Sequence, residues 1–365
     1  MYLKYRDLTI EGLFGRVSDA SLERAIDGDS QDPAVLKTLL SPWAESCLER
    51  MAERSHDITM RHFGKTIQLY APLYLSNYCD NQCLYCGFNA KNDIERKKLT
   101  LDEVVKEAEH IAATGIRHIL ILTGESRAHT PLSYIRDCVK ALTGYFDSIA
   151  VEIYPLAGHE YAELVAEGVD GLTLYQELYD EELYKKMHPA GPKSDYRSRL
   201  DAPERGAKSG MRSVSIGVLL GLADWRREAF FMGLHARYLQ NKFPDVDIGI
   251  SVPRIRPQVS DFKPAFGVSD MNIVQLITAM RIFFPRASIS VSTREYPAFR
   301  ENLIPLGVTR MSAGSVTSVG GYAIGEQRAS QTEQFEIMDH RSVKEVCSML
   351  EKRGYQPVFK DWVRV

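Results

Sequence analysis

Cys79, Cys83 and Cys86 fall within eight residues, in the segment Asn77-Tyr78-Cys79-Asp80-Asn81-Gln82-Cys83-Leu84-Tyr85-Cys86-Gly87-Phe88. Three thiolates this close can ligate three corners of a cubane iron-sulfur cluster. Backbone N–H groups of so short a loop can offset charge on the sulfurs. Three protein ligands leave the fourth iron open to an exogenous ligand. Zinc is the competing metal: a structural zinc site wants four closed ligands, commonly as paired Cys-x-x-Cys. No second pair exists here, although a distant histidine could serve as a fourth ligand. The remaining alternative is three buried structural cysteines, but free cysteine, often buried, is rarely clustered.

The other cysteines, Cys47, Cys138 and Cys347, are scattered, and six in 365 residues cannot frame a disulfide scaffold. They read as small core residues. Lys plus Arg is 45 against 48 Asp plus Glu, a net charge of -3 without the basic footprint of a dedicated nucleic-acid binder. No apolar run approaches the length of a transmembrane helix, and the opening MYLKYRDLTIEGLF is too polar for a secretory signal. An iron site with an open position is labile to oxidation, so the expected location is the cytoplasm.

The elements that must position the cysteines repeat along the chain. An apolar run, a loop, an amphipathic stretch and a glycine precede each next apolar run. In the clearest copy, Thr100 and Glu103 form a capping-box pattern, and Leu101, Val104, Val105, Ala108, Ile111 and Ala112 share one helical face. Gly115 then supplies a left-handed cap before a strand over 116–123. The same ending recurs at Gly168, Gly210 and Gly307. Eight candidate strands result: 67–75, 116–123, 148–154, 169–175, 211–220, 247–252, 287–292 and 308–311. Helices are expected at 41–54, with Trp43, Cys47, Leu48 and Met51 on one face, and at 132–142, 225–239 and 270–284. Strict alternation implies parallel strands and an α/β fold of (βα)8 type, with a doubly wound sheet as the alternative. We read residues 1–66 as an N-terminal helical extension, 67–315 as the barrel, and 316–365 as a C-terminal extension packed on it. The cysteine loop then follows the first strand, on the face where barrels carry chemistry.

The Cys-x3-Cys-x2-Cys spacing, with Tyr85 before the last cysteine, resembles the radical S-adenosylmethionine (SAM) superfamily. The resemblance implies a parallel βα barrel, a [4Fe-4S] cluster whose open iron chelates SAM, and reductive cleavage of SAM to a 5′-deoxyadenosyl radical. It also implies that Tyr85, Gly124, Glu125, Glu152 and Arg199 surround the cofactor. Leu120-Ile-Leu-Thr-Gly-Glu-Ser126 looks like the superfamily's Gly-Gly-Glu motif, with Thr123 at the first glycine position. Gly124 permits close backbone approach, and Glu125 would accept a hydrogen bond from the methionyl ammonium. The bland alternative for Glu125 is a carboxylate at a helix N-terminus. Glu152 sits in the apolar run Ile149-Ala-Val-Glu-Ile153 and needs a partner or a cavity; the SAM ribose is the implied one. Arg199 lies in a segment similar to one of biotin synthase whose arginine contacts the SAM carboxylate, which a planar guanidinium matches. It is one of four arginines in 197–212, so a solvated helix face is the alternative.

Further segments resemble the aromatic amino-acid lyases of this superfamily, in their tyrosine branch: Tyr175-Gln-Glu177, Met187 to Pro192, Leu219 to Trp225, Ser251 to Pro257, Ser292-Thr-Arg-Glu295, Met311 to Ser315 and Gly320-Gly-Tyr322. The resemblance runs over nearly the whole chain and is weakest over the first 40 residues. It implies cleavage of the Cα–Cβ bond of L-tyrosine to 2-iminoacetate and p-cresol for thiamine thiazole synthesis. It also implies a thiazole synthase (ThiG) as partner and a flavodoxin or ferredoxin type electron donor. By the same resemblance Arg294 pairs with the substrate carboxylate, assisted by Ser312 (or Ser315), and Tyr74 contacts the substrate amine. The alternatives are an ion pair of Arg294 with Glu295 or Glu301, a core role for Tyr74, and a turn role for Ser312. His188 and Arg256 sit in matching segments without an assigned role. A hydrogenase-maturation relative carries extra C-terminal cysteines for a second cluster; with Cys347 alone in that region, no second cluster is expected here. Tryptophan lyase, biotin-synthase-like sulfur insertion and a non-catalytic zinc-stabilised barrel that binds a partner are the competing functions.

Overall fold

The computed structural model describes residues 8–260, 262–324 and 333–361. The parts of the two expected extensions at 1–7, 325–332 and 362–365 lie outside the described residues. Eight parallel strands form the barrel: β1 (Thr66–Ser76), β2 (His118–Thr123), β3 (Ser148–Glu152), β4 (Gly171–Thr173), β5 (Ser213–Gly217), β6 (Asp247–Ser251), β7 (Ser288–Val291) and β8 (Arg310–Ser312). Each pairs with the next, and β1 pairs with both β2 and β8, which closes the cylinder and excludes the doubly wound sheet.

Sequence pattern accounts for this. In β1, Ile67, Leu69 and Ala71 are buried towards the helical layer, while Gln68 and Tyr70 alternate with them towards the interior. The Thr100–Glu103 capping box forms at the start of the helix Leu101–Ala113. Gly115, Gly168, Gly210 and Gly307 all take positive φ, from 94° to 125°. These glycines reverse the chain from helix into strand, where a side chain would be strained.

The N-terminal helices pack against the outer wall. The helix Leu48–Phe63 lies on Asp270–Phe283, Ser55 donates to the carbonyl of Leu306, and Gln275 donates to those of Leu39 and Ser41. The segment expected as one helix over 41–54 divides: Pro42–Cys47 is a 3₁₀ turn, and the α-helix begins at Leu48. Trp43 is 47% exposed and does not share the buried face of Met51. The proline at the start of the turn and the break at Cys47 rotate it outward. A ninth strand, β9 (Gln356–Val358), pairs in parallel with the start of β1. It is three residues long and contains a proline, too short to show a period. No described helix is long and apolar enough to cross a membrane.

Candidate active site

The C-terminal ends of the strands enclose two adjoining cavities. Cys86, Glu152, Glu177, Lys193 and Gln334 line both and join them. The first holds Cys79, Cys83 and Cys86 with Tyr74, Thr123, Gly124, Glu125 and Arg199; the second holds Arg294, Tyr85, Tyr175, Arg256 and Phe335. The structure thus brings nearly all the expected residues to one place.

The cysteine loop is built for anionic sulfur. Backbone N–H groups of Asn81 and Glu125 point at Cys79 Sγ, and that of Phe88 points at Cys86 Sγ. Gln334 Nε2 stands 3.8 Å from Cys86 Sγ. Burial pushes the Cys79 thiol up to about 11 and raises the other two as well. Without metal these groups are thiols; a metal must displace the protons. Among the described residues no three His, Cys, Asp or Glu side chains converge on a point suited to one metal ion. Cys79, Cys83 and Cys86 instead line one cavity, an arrangement that suits a polynuclear cluster. Thr123 Oγ1, on the same cavity wall, is buried without a hydrogen-bond partner, as a wall awaiting a polar ligand would be. The residues therefore fit a cluster with a polar cofactor beside it.

Gly124 is required by contact. A Cβ there would lie 2.3 Å from the carbonyl oxygen of Tyr78. Glu125 is not at a helix N-terminus, because the next helix starts at Leu132. Its carboxylate is largely covered, accepting from Arg199 Nη1 at 2.8 Å and from Asn81 Nδ2 at 2.9 Å. Burial alone would raise its pKa, but Arg199 and Lys193 outweigh it and hold the carboxyl below its ordinary value. Arg199 is buried too, with Nε donating to the carbonyl of Tyr175. Of the four crowded arginines it alone lines the cavity; Arg205 binds carbonyls of Leu156 and Ser198, and Arg212 pairs with Asp170.

Glu177 and Lys193 belong to the site, and no role was read for either in the sequence. Lys193 Nζ pairs with Glu177 at 2.7 Å, and Arg199 stands 3.8 Å from the same carboxylate. Glu177 is the one non-glycine described residue with positive φ, at 68°. Such backbone strain concentrates at functional sites. Its segment, Tyr175-Gln-Glu177, was a signal for it. Gln334 and Phe335 had none: Gln334 lies 248 residues from Cys86 and reaches it only through the fold.

Glu152 ends β3 on the wall shared by both cavities and forms no hydrogen bond or ion pair among the described residues. Burial, then Glu177, pushes its carboxyl up to about 7. A raised carboxyl pKa contributes stability at low pH that is lost as pH rises from about 4.5 through about 7. Glu152→Gln is therefore expected to flatten the stability profile of the ligand-free chain between those limits, as read by urea midpoints at several pH values. An unchanged slope would contradict the assignment.

Arg294 follows β7, half-buried, with its guanidinium 3.3 Å from the Phe335 ring centroid. Neither expected alternative partner is available. Glu295 is taken by Arg254 and Arg256, and Glu301 by Arg341 and Arg353. Arg294 has no carboxylate partner among the described residues, and burial lowers its pKa. Arg256, left without a role by the sequence, thus anchors Glu295. Tyr74 donates its hydroxyl to Gln334 Oε1 at 2.8 Å, at the cavity wall. Tyr85 turns away from the cysteine cavity: its hydroxyl donates to His188 Nε2 at 2.7 Å, while His188 Nδ1 donates to the Tyr184 carbonyl. Burial, then Lys193, lowers His188 to about 2, so it stays neutral. Ser312 does not reach either cavity. Its Oγ accepts the N–H of Thr293 at 3.1 Å and also meets Tyr70, inside the wall one residue behind Arg294. Ser315 is buried with Oγ unpartnered.

Comparison with known proteins agrees with this geometry. Residues 73–232 match the Radical SAM superfamily and residues 251–356 the Biotin and Thiamin Synthesis associated domain. The chain is similar to 2-iminoacetate synthase of Escherichia coli (strain K12), at 39% identity over 94% of this chain and 90% of that one. It is similar to 3-methylornithine synthase of Methanosarcina acetivorans at 28% identity over 92% and 93%. Among solved structures, HydG, a maturase of the [FeFe]-hydrogenase, superposes with a TM-score of 0.89 at 34% identity, covering 95% of this chain and 78% of that one. Radical SAM proteins use a [4Fe-4S] cluster and SAM, the pair this site fits. With the cysteine loop, the barrel and these likenesses together, the chain belongs to the radical SAM superfamily, in the family of the 2-iminoacetate synthases.

Proposed function

We infer that this chain is a radical SAM carbon-carbon lyase that cleaves the Cα–Cβ bond of L-tyrosine to 2-iminoacetate and p-cresol. The observation that carries it is Arg294: a half-buried, desolvated guanidinium on the cavity wall with no carboxylate partner among the described residues. A desolvated cation without a partner is costly, and the carboxylate of an amino-acid substrate supplies the missing charge.

Cys79, Cys83 and Cys86 would hold the cluster, and Gly124, Glu125, Glu152 and Arg199 would surround SAM beside it. When bound, that pair supplies a one-electron cleavage giving a radical strong enough to take a hydrogen atom from the substrate. The residues of this chain do the rest. Arg294 fixes the carboxylate bidentately, with Ser312 steadying the loop through Thr293. Tyr74, held by Gln334, meets the amino end. Tyr85 and His188 form a buried pair that braces the cysteine loop from the second cavity. Glu152, near neutrality in its proton equilibrium, accepts or donates to a ribose hydroxyl without a fixed full charge. The wall formed by Gln334 and Phe335 keeps water from an imine that hydrolyses readily.

The thiamine-linked matching domain and the family support a thiazole synthase partner, a flavodoxin or ferredoxin type donor and a cytoplasmic setting. The deciding experiment is anaerobic reconstitution followed by reductant, SAM and tyrosine. Iron and sulfide near four each per chain, with 5′-deoxyadenosine and p-cresol, is the expected result. No p-cresol with an intact cluster would overturn the substrate, and a colourless protein holding stoichiometric zinc would overturn the enzyme.

A further inference from the structure

The Gln334 side chain stands between a cysteine of the cluster loop and a tyrosine on the cavity wall. Its Oε1 accepts the Tyr74 hydroxyl at 2.8 Å, and its Nε2 points at Cys86 Sγ from 3.8 Å. Chemistry fixes which way the amide faces. Turned over, it would set a carbonyl oxygen against a thiolate, and neither can donate. The backbone N–H groups aimed at Cys79 and Cys86 come from the cysteine loop and the end of β2. Gln334 comes from the far end of the chain and leads on to a second functional side chain.

The amide is held at its base. Gln334 N–H donates to the Thr317 carbonyl, Thr317 Oγ1 donates to the Phe335 carbonyl, and the Gln334 carbonyl accepts from Gly87 N–H. That last contact requires glycine after Cys86: a Cβ at Gly87 would lie 2.5 Å from the Gln334 carbonyl oxygen. Thr317 is buried, and its neighbour Val316 is tied through the Tyr322 hydroxyl to the carbonyl of Pro72 in β1. The N–H groups of Tyr322, Ala323 and Ile324 all donate to the buried carboxylate of Glu107. At the other end, the Tyr74 ring packs edge-on against Phe88, 5.9 Å between centroids. Both partners of the amide are thus fixed to the barrel.

We propose that Gln334 is a positioning residue that couples occupancy of the substrate's amino position to the reducibility of the cluster. The proposal rests on the tyrosine-lyase reading. Because the Tyr74 hydroxyl proton is committed to Gln334, the phenol oxygen is left to accept from the substrate's amino group. Substrate N–H, Tyr74 O–H and Gln334 N–H then run head to tail and end on Cys86 Sγ. Hydrogen bonds in such a chain polarise one another, by roughly 10–30% per bond. A donor on a cluster sulfur favours the state that carries the extra electron and so raises the reduction potential. The electron itself comes from the flavodoxin or ferredoxin type donor. Bound tyrosine makes the cluster easier to reduce, and SAM cleavage without substrate is disfavoured.

The test is a redox titration of cluster-loaded protein followed by EPR. S-adenosylhomocysteine, which has no cleavable sulfonium, fills the cofactor position, and equilibrium dialysis of the same samples reads tyrosine occupancy. At a fixed potential, Gln334→Leu should hold about tenfold less reduced cluster relative to oxidised, a midpoint about 59 mV lower for one electron. Saturating L-tyrosine should raise the wild-type midpoint and leave that of Gln334→Leu unchanged. The amine-free analogue 3-(4-hydroxyphenyl)propionate should move neither. Tyr74→Phe keeps the amide but removes the hydroxyl that polarises it; it should abolish the tyrosine response, and it serves if Gln334→Leu does not load a cluster. With SAM and reductant, the excess of 5′-deoxyadenosine formed with tyrosine over that formed without it should vanish in Gln334→Leu. Equal midpoints in wild type and Gln334→Leu, a wild-type midpoint indifferent to bound tyrosine, or an equal shift by the amine-free analogue would each overturn the coupling. Absence of p-cresol from tyrosine in the wild type would instead overturn the substrate reading, and the midpoints measured without tyrosine would still judge the contact of Gln334 with Cys86.

Discussion

Arg294→Met is expected to lower kcat/KM for tyrosine by roughly 10²–10³, mostly through KM, while leaving the fold as stable as before. Removing one partner of a buried, hydrogen-bonded charge pair costs about 2–5 kcal/mol, and a rise in KM with kcat kept is the mark of lost ground-state binding. Stability should hold because Arg294 makes no ion pair among the described residues and is desolvated at the cavity wall, so its removal relieves a desolvation cost. Against that relief stand the stacking of the guanidinium on the Phe335 ring, worth about 0.5–2 kcal/mol, and its longer-range attraction to Glu177 and Glu152. Arg256 cannot take over, because Glu295 already holds it. Arg294→Lys keeps the charge but not the planar fork and should recover only part of the affinity. Steady-state kinetics with a thermal melt on each variant reads both quantities. If KM stays at the wild-type value, the carboxylate is bound elsewhere and the central assignment fails.

Glu177→Ala is expected to cost about 3–5 kcal/mol of stability, the usual penalty for breaking a buried ion pair from one side. Glu125 and Glu177 together balance Lys193 and Arg199, all four buried or nearly so. Without Glu177, two cations share one carboxylate. Glu177 is also the left-handed non-glycine residue of the site, so Glu177→Gly should be less destabilised than Glu177→Ala, by about 1 kcal/mol. The same substitutions remove a negative neighbour from Glu152 and should bring its pKa down from about 7 towards the ordinary carboxylate value. Urea unfolding at two pH values separates these effects. An alanine variant as stable as the wild type would show that the charges are screened, and that the cluster of four does not act as a unit.

Much of the fold was legible because it rests on local patterns. Eight apolar runs, four glycines that must adopt positive φ, and one capping box were enough to count the strands and orient the barrel. The misjudged stretches were short or irregular. The 3₁₀ turn at Pro42–Cys47 imitates helical spacing while pointing Trp43 outward, and β9 is too brief to carry any period. At the site, the cysteines, Gly124, Glu125, Glu152, Arg199, Tyr74 and Arg294 were all marked by type or by strand-end position. Ser312 was marked the same way but faces into the wall, because a strand end offers two faces and the sequence does not say which is used.

The sequence by itself determined the cofactor chemistry and the scaffold, since ligand spacing and helix-strand alternation are encoded within a few residues of each other. Tertiary structure decided which charges are spent and which remain available. Arg254, Arg256 and Arg294 are equally charged on paper, yet two are tied to Glu295 and the third faces the cavity. Glu125 and Arg199, 74 residues apart, neutralise each other, and Gln334 closes the site from the far end of the chain. Such pairings depend on where side chains meet across the barrel mouth. Distance in space, unlike periodicity, leaves no local trace in the order of residues.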